Sequence, residues 1–323
     1  MTASTGSATG PVKSQSHGRS LRSAGMVVTK SMIPVSLKRM LQNALHQALP
    51  EAIRQLESTA VDRISQANIA THPDSIPLHL EAPGPTLIYT TAVAHAIAAL
   101  GPWPPMAVAQ ALQTTWASQV PVEPPLPLNL VPHIKGEGWL HYTLTAADLA
   151  SWLEAVYKAP LPPGSAPKQP LTLASGSSPL ARKLHLSEIA LLHHGYASCW
   201  RLLHQGQQAG WIHLGPLAPS SLWPVLPLAP LPLPPQPLSP DAQKVLHGLT
   251  RLVDTLAADQ PQRHCGRQGL YLVEQLYGWE ATTWQWHQAP QAQRHYYLGL
   301  VAASQRSLQD LLQRARLPAP ASL

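Results

Sequence analysis

Ten prolines fall between residues 216 and 240, and that density restricts the fold more than any other feature of the chain. Proline has no backbone N–H and a fixed φ, so the stretch excludes helix and central strand and favours extended polyproline geometry. It reads as a stiff connector, with partner docking through PxxP segments as the other reading. A second break, rich in Pro, Gly and Ser, covers 159–179 and reads as a linker. With the change of hydrophobic pattern after residue 31, this linker divides the 323 residues into a tail at 1–31, a block at 32–158, and a block at 180–323 that holds the proline-rich insert.

The tail carries Lys13, Arg19, Arg22 and Lys30, no acid and no hydrophobic period. It reads as a disordered basic extension with Met26 or Met32 as the true start, or as a transit-like peptide. Of the net charge of +6, residues 32–159 contribute six basic and nine acidic side chains, and residues 180–323 eleven and seven. The C-terminal block is the better seat for a polyanion. Two cysteines, Cys199 and Cys265, supply neither a disulfide framework nor a thiolate metal site alone, and fit a reducing, cytoplasmic setting. No apolar run approaches the roughly 18 residues of a membrane span. The sixteen histidines cluster at His193, His194 and His204 and beside Cys265 at His264. None of these has a zinc-ligand spacing or an activated thiolate, so no metal and no cofactor is expected.

Hydrophobic periodicity fills in the blocks. Ile33, Leu37, Met40, Leu41, Ala44, Leu45, Ala48 and Leu49 line one face of an amphipathic helix. Ile76, Leu78 and Leu80 alternate as a short edge strand. Tyr89 to Leu100 reads as a second helix stopped by Gly101-Pro102, and Pro105 to Val120 as a third. Residues 131–145 read as a hairpin about Gly136-Glu137-Gly138, and Thr145 with Asp148 as a capping box opening another helix. This makes the first block an α+β domain. In the second block, helical patterns run to about Leu203, from Ser239-Pro240 through Leu256, near 267–278, and from Tyr297 to Ala315, which makes an all-α bundle.

These residues carry a resemblance. Tyr89-Thr90-Thr91-Ala92-Val93-Ala94 is similar to the D-Y-A-[ST]-N-V-A pattern in the N-terminal additional domain of arginyl-tRNA synthetases. Gly136-Glu137-Gly138-Trp139-Leu140-His141-Tyr142 resembles that domain's G-P-G-F-[IL]-N-F turn and strand. His194-Gly195-Tyr196-Ala197-Ser198-Cys199-Trp200-Arg201-Leu202-Leu203 resembles the first helix of the DALR-type anticodon-binding bundle of the same enzymes. Residues 294–320, ending Leu317-Pro318-Ala319-Pro320, are similar to its last helix. The resemblance implies an additional-domain-like fold at 32–158 and an anticodon-binding-like bundle at 180–323. The family's motif asparagines are here Ala92 and His141, the second in the part of the family that touches the tRNA D-loop.

In the synthetases a catalytic Rossmann-type domain separates the two modules, whereas here a short linker does. No HIGH-like tetrapeptide, KMSKS-like loop or glycine-rich phosphate cradle occurs in the sequence. The expectation is a non-enzymatic paralogue that binds tRNA or a tRNA-like RNA. A protein-interaction scaffold using Trp/Pro-rich surfaces, or an accessory subunit, is the alternative. The resemblance and the charge pattern nominate Arg201, Arg294, Arg306 and Arg314 for phosphates, with Arg316 beside them. They nominate Tyr89, Trp139, His141, Trp284 and Tyr296, with Trp286, for base contacts. The other reading of these arginines and aromatics is a solvated face and ordinary core.

Overall fold

The computed structural model describes residues 35–56, 72–118, 130–159, 184–214, 238–258, 260–315 and 317. The expected tail, nearly all of the linker, and the proline-rich stretch at 216–237 lie outside them. The described chain is mostly helical with one small antiparallel sheet.

Helix α1 (Leu37–Gln55) starts where Ser36 accepts a hydrogen bond from the Arg39 N–H, the usual way a serine satisfies a free first-turn donor. Its expected face is the buried one: Leu37, Leu41, Ala44, Leu45, Ala48 and Leu49 all lie inside. Strand β1 (Leu78–Leu80) forms one edge of the four-stranded sheet. Beside it runs β2 (Ile88–Thr91), then β4 (Trp139–Thr143), with β3 (Pro132–Lys135) on the far edge. Cross-strand register places Leu80 against Tyr89, Tyr89 against Tyr142, and Tyr142 against Pro132 on the buried face.

The stretch expected as a helix from Tyr89 is corrected here: β2 occupies Ile88–Thr91, and only Val93–Ala98 (α2) is helical. A pattern of apolar residues every three or four positions hid a period of two. Tyr89 and Thr91 point inward while Ile88 and Thr90 are half-buried on the other face, and the β-branched threonines suit a pleated surface. The pairing supplies backbone partners on both sides of β2, which helix propensity alone does not outweigh.

Helix α3 (Pro105–Ser118) begins on proline as its first-turn pattern requires. It is tied to the β3 side of the sheet by Gln113 Nε2 donating to the Pro132 carbonyl at 2.7 Å. The β3–β4 turn needs its glycines: Gly136 has φ 58° and Gly138 φ 109°. A Cβ on Gly138 would also sit 2.8 Å from the Pro105 carbonyl carbon. Helix α4 (Ala146–Lys158) opens on the expected capping box, Thr145 Oγ1 accepting from the Asp148 N–H and Asp148 accepting from the Thr145 N–H.

The remaining helices are α5 (Leu186–Gln208), α6 (Pro240–Ala257), α7 (Gln262–Glu280) and α8 (Gln291–Arg314). Ser239 caps α6 with Pro240 in the first position, as expected. Helix α8 is buried on nearly every side, including Ser304, Gln305, Ser307, Gln309 and Asp310, and packs on α4, α5 and α6. A helix buried all round marks the centre of an assembly rather than its surface.

The described residues from 35 onward belong to one compact unit with a continuous core. Asp254 on α6 accepts hydrogen bonds from Tyr89 Oη at 2.5 Å, Ser36 Oγ at 2.7 Å and the Lys38 N–H at 3.2 Å. One buried carboxylate thus joins α1, β2 and the bundle. His247, two turns earlier on α6, donates from Nε2 to the Glu81 carbonyl at 2.9 Å. Trp152 of α4 donates to the Val35 carbonyl at 2.7 Å. Among the described residues, no helix is long and apolar enough to cross a membrane.

Candidate nucleic-acid interface

The residues nominated by sequence separate into interior and surface. Tyr89 and Tyr296 are both at 0 % exposure. Burial, then the Asp254 charge and hydrogen bond, push the Tyr89 phenol well above its ordinary pKa. Burial also raises that of Tyr296. Neither ring has a face free for a base, so both nominations are corrected: these tyrosines are core. Trp286 is core as well, 4.9 Å from Trp279 between ring centroids. The side chain of Trp284 lies outside the described residues.

The four nominated arginines among the described residues each have a protein partner, Arg201 at an exposed position and the other three half-buried; Arg316 lies outside the described residues. Arg306 donates from Nε to the Ala159 carbonyl at 2.9 Å and from Nη1 to Gln309 Oε1 at 3.3 Å, and burial lowers its pKa. Arg314 pairs with Asp310 at 3.0 Å and donates to the Leu256 carbonyl at 2.8 Å. Arg294 lies over the Trp211 ring, 5.0 Å from its centroid. Arg201 is paired with Glu280 across to α7. Spacing along one helix placed Arg306 and Arg314 on a common side correctly, but that side meets α4 and the C-terminal end of α6 rather than water.

The surface candidates lie elsewhere. On the outer face of the sheet, His79, Thr90, His141 and His133 form one row across all four strands. His79 and His133 are exposed. Glu81 covers the middle of the row, its Oε1 accepting from Thr90 Oγ1 at 2.6 Å and lying 3.2 Å from His141 Nδ1. His141 is therefore present on the nominated face but shared with a carboxylate. Opposite Lys135, and also exposed at 44 %, stands Trp139, its ring 5.5 Å from that of His95. One side of this antiparallel sheet is core and the other carries an indole, imidazoles and a lysine amine. That arrangement offers stacking faces and phosphate donors together.

The bundle meets the sheet beside β1, where His247 of α6 donates to the Glu81 carbonyl at 2.9 Å. Burial lowers the pKa of His247 although the Glu81 hydrogen bond opposes it, and the charges of Arg251 and His79 lower it further. Arg251 lies 5.6 Å from the Tyr271 ring centroid. Arg263 and Arg267, four residues apart on α7, are exposed. Among the described residues none of Arg251, Arg263 and Arg267 takes part in an ion pair. Sequence reading missed all three. The signal was present in the i, i+4 spacing of Arg263 and Arg267, but the helix was expected to start near 267, which left Arg263 outside it.

Other chemistries find little footing. No group of three His, Cys, Asp or Glu side chains among the described residues is arranged to hold a metal ion. Cys199 and Cys265 are buried and form no disulfide, and burial raises the pKa of the Cys199 thiol far from the range of a reactive thiolate. Comparison of the chain with protein-family models, with curated proteins and with solved structures gives no match.

Proposed function

We propose that this chain is a non-catalytic RNA-binding protein of the cytoplasm. It is built like the additional domain and the anticodon-binding bundle of arginyl-tRNA synthetases, and takes tRNA or a tRNA-like RNA. The observation that carries this reading is the set of three exposed arginines, Arg251, Arg263 and Arg267, in no ion pair among the described residues. The outer sheet face separately bears Lys135 and the exposed Trp139. Unpaired guanidinium groups attract phosphates and release counterions, and an exposed indole stacks on any base. The absence of HIGH-like and KMSKS-like sequence motifs supports a role without adenylation.

A protein-docking role is the second reading, favoured by Leu186, 84 % exposed, and Leu191, 47 % exposed, at the start of α5. One experiment separates the two. Tagged protein is recovered from its native cytosol at two salt concentrations, and bound RNA and bound protein are sequenced. Enriched tRNA that elutes as salt rises supports RNA binding. A salt-resistant protein partner without RNA refutes it and supports docking.

A further inference from the structure

Between α5 and α7 lies an open groove of about 520 Å³. The two helices cross there in close contact at glycine. A Cβ on Gly195 would come within 2.4 Å of Val273 Cγ2, and one on Gly269 within 3.0 Å of Leu192 Cδ2. Alongside this tight crossing, Leu191, Leu270 and Val273 form the apolar part of the lining. Two tyrosines of α7, Tyr271 and Tyr277, complete the lining, and Tyr277 is held by a hydrogen bond to His194 of α5. The volume falls within the range of about 300–1,000 Å³ common for small-ligand sites with mostly apolar walls.

The polar groups around the groove are of two kinds. Arg267 lines the groove, Arg263 stands one turn before it on α7, and Arg251 lies over Tyr271. These are the unpaired cations of the proposed RNA surface, so a phosphate chain drawn to them brings its bases to the groove. The other kind is Glu188 and Glu274, one from each wall. Glu188 uses one carboxylate oxygen to accept from the His185 N–H at 2.7 Å, which leaves the other free. Glu274 is exposed and makes no hydrogen bond or ion pair among the described residues.

We infer that this groove seats an unpaired nucleobase bearing an exocyclic amino group, with its neighbouring phosphates on Arg263 and Arg267. A carboxylate offers acceptors only. Cytosine and adenine present N–H₂ donors that it satisfies, and glutamate is a known acceptor for the cytosine amine. Uracil presents one N–H between two carbonyl oxygens, and those oxygens face the carboxylates unfavourably. The tyrosines stack on any base, so the glutamates set the preference. This inference rests on the RNA-binding reading and narrows it to single-stranded, amino-bearing segments.

The test is fluorescence anisotropy of the full chain with labelled nine-nucleotide oligocytidine and oligouridine, with unfractionated tRNA as competitor. The wild type is expected to bind oligocytidine at least about fivefold more tightly, the lower end of one carboxylate–amine contact. The combination Glu188→Gln and Glu274→Gln is expected to bring the two oligonucleotides within about twofold of each other, since an amide also donates. Circular dichroism checks that the variant is folded, and Glu274→Gln alone, at an exposed position, serves if it is not. Equal binding of the two oligonucleotides by the wild type, or a preference untouched by Glu274→Gln, overturns the inference. If binding is nevertheless lost in Arg263→Ala/Arg267→Ala, the RNA-binding reading stands without it. Binding of tRNA but of neither oligonucleotide overturns the groove assignment alone. No binding of tRNA or oligonucleotide overturns both.

Discussion

Replacing Asp254 by alanine tests how the sheet and the bundle are joined. The carboxylate accepts from Tyr89 Oη at 2.5 Å and Ser36 Oγ at 2.7 Å, both buried, and from the partly exposed Lys38 N–H at 3.2 Å. Alanine strands two buried hydroxyls at about 1–3 kcal/mol each, or roughly 2–6 kcal/mol before any compensation. Removing a buried charge returns part of this. Burial raises the Asp254 pKa, outweighing the three donors that favour the carboxylate, so the ionised group is itself under strain. A net loss of about 2–4 kcal/mol follows, read by urea unfolding as a lower midpoint with unchanged slope. The pH dependence has a definite sign. A carboxyl whose folded pKa lies above its unfolded value, about 3.9, favours folding in its protonated form. Its contribution is greatest below that unfolded value and declines as pH rises through the folded one. The stability of the wild type relative to Asp254→Asn is therefore expected to fall as pH rises above about 4. A loss below about 0.5 kcal/mol for Asp254→Ala would fall within ordinary surface-substitution effects and refute the reasoning, as would a relative stability that rises with pH.

Three further outcomes are expected. Gly195→Ala forces α5 away from Val273 and is expected to cost about 1–3 kcal/mol in denaturant unfolding, the range for overpacked cores. Arg306→Ala removes a charge-assisted bond to the Ala159 carbonyl and is expected to cost about 1.5–3 kcal/mol of stability. It should leave the salt slope of RNA binding unchanged in the folded protein, whereas a reduced slope would restore Arg306 to the interface. Trp139→Ala, at an exposed position, is expected to weaken RNA binding by about 1–3 kcal/mol through lost stacking, with no change of salt slope. Unaltered affinity by anisotropy would remove the sheet from the interface.

Local chemistry was legible where one residue type has one use. Ser239-Pro240, the Thr145–Asp148 capping box and the Gly136/Gly138 turn were all readable because caps and positive-φ turns have narrow residue requirements. The strand at Ile88–Thr91 was not, because it leads directly into a helix and its two inward residues also suit a helical face. The fate of the arginines was hidden for a different reason. Spacing gives the face of a helix but not what lies opposite it, and Arg306 and Arg314 find a carbonyl of Ala159 and one of Leu256 far away in sequence. The buried hydrogen-bond partner of Tyr89, Asp254, likewise lies more than a hundred residues later. Among the nominated residues whose side chains are described, Trp139 is the one whose exposed ring matches its expected use.

On the proposed reading, Arg251, Arg263 and Arg267 are the phosphate contacts. Affinity for tRNA is measured by anisotropy across a series of salt concentrations for the wild type and for the triple alanine variant. Each lost contact to single-stranded RNA lowers the slope of log K against log salt by about 0.7, so the variant's slope is expected to be shallower by about 2. A variant with the wild-type slope and affinity would show that these arginines do not contact the phosphates.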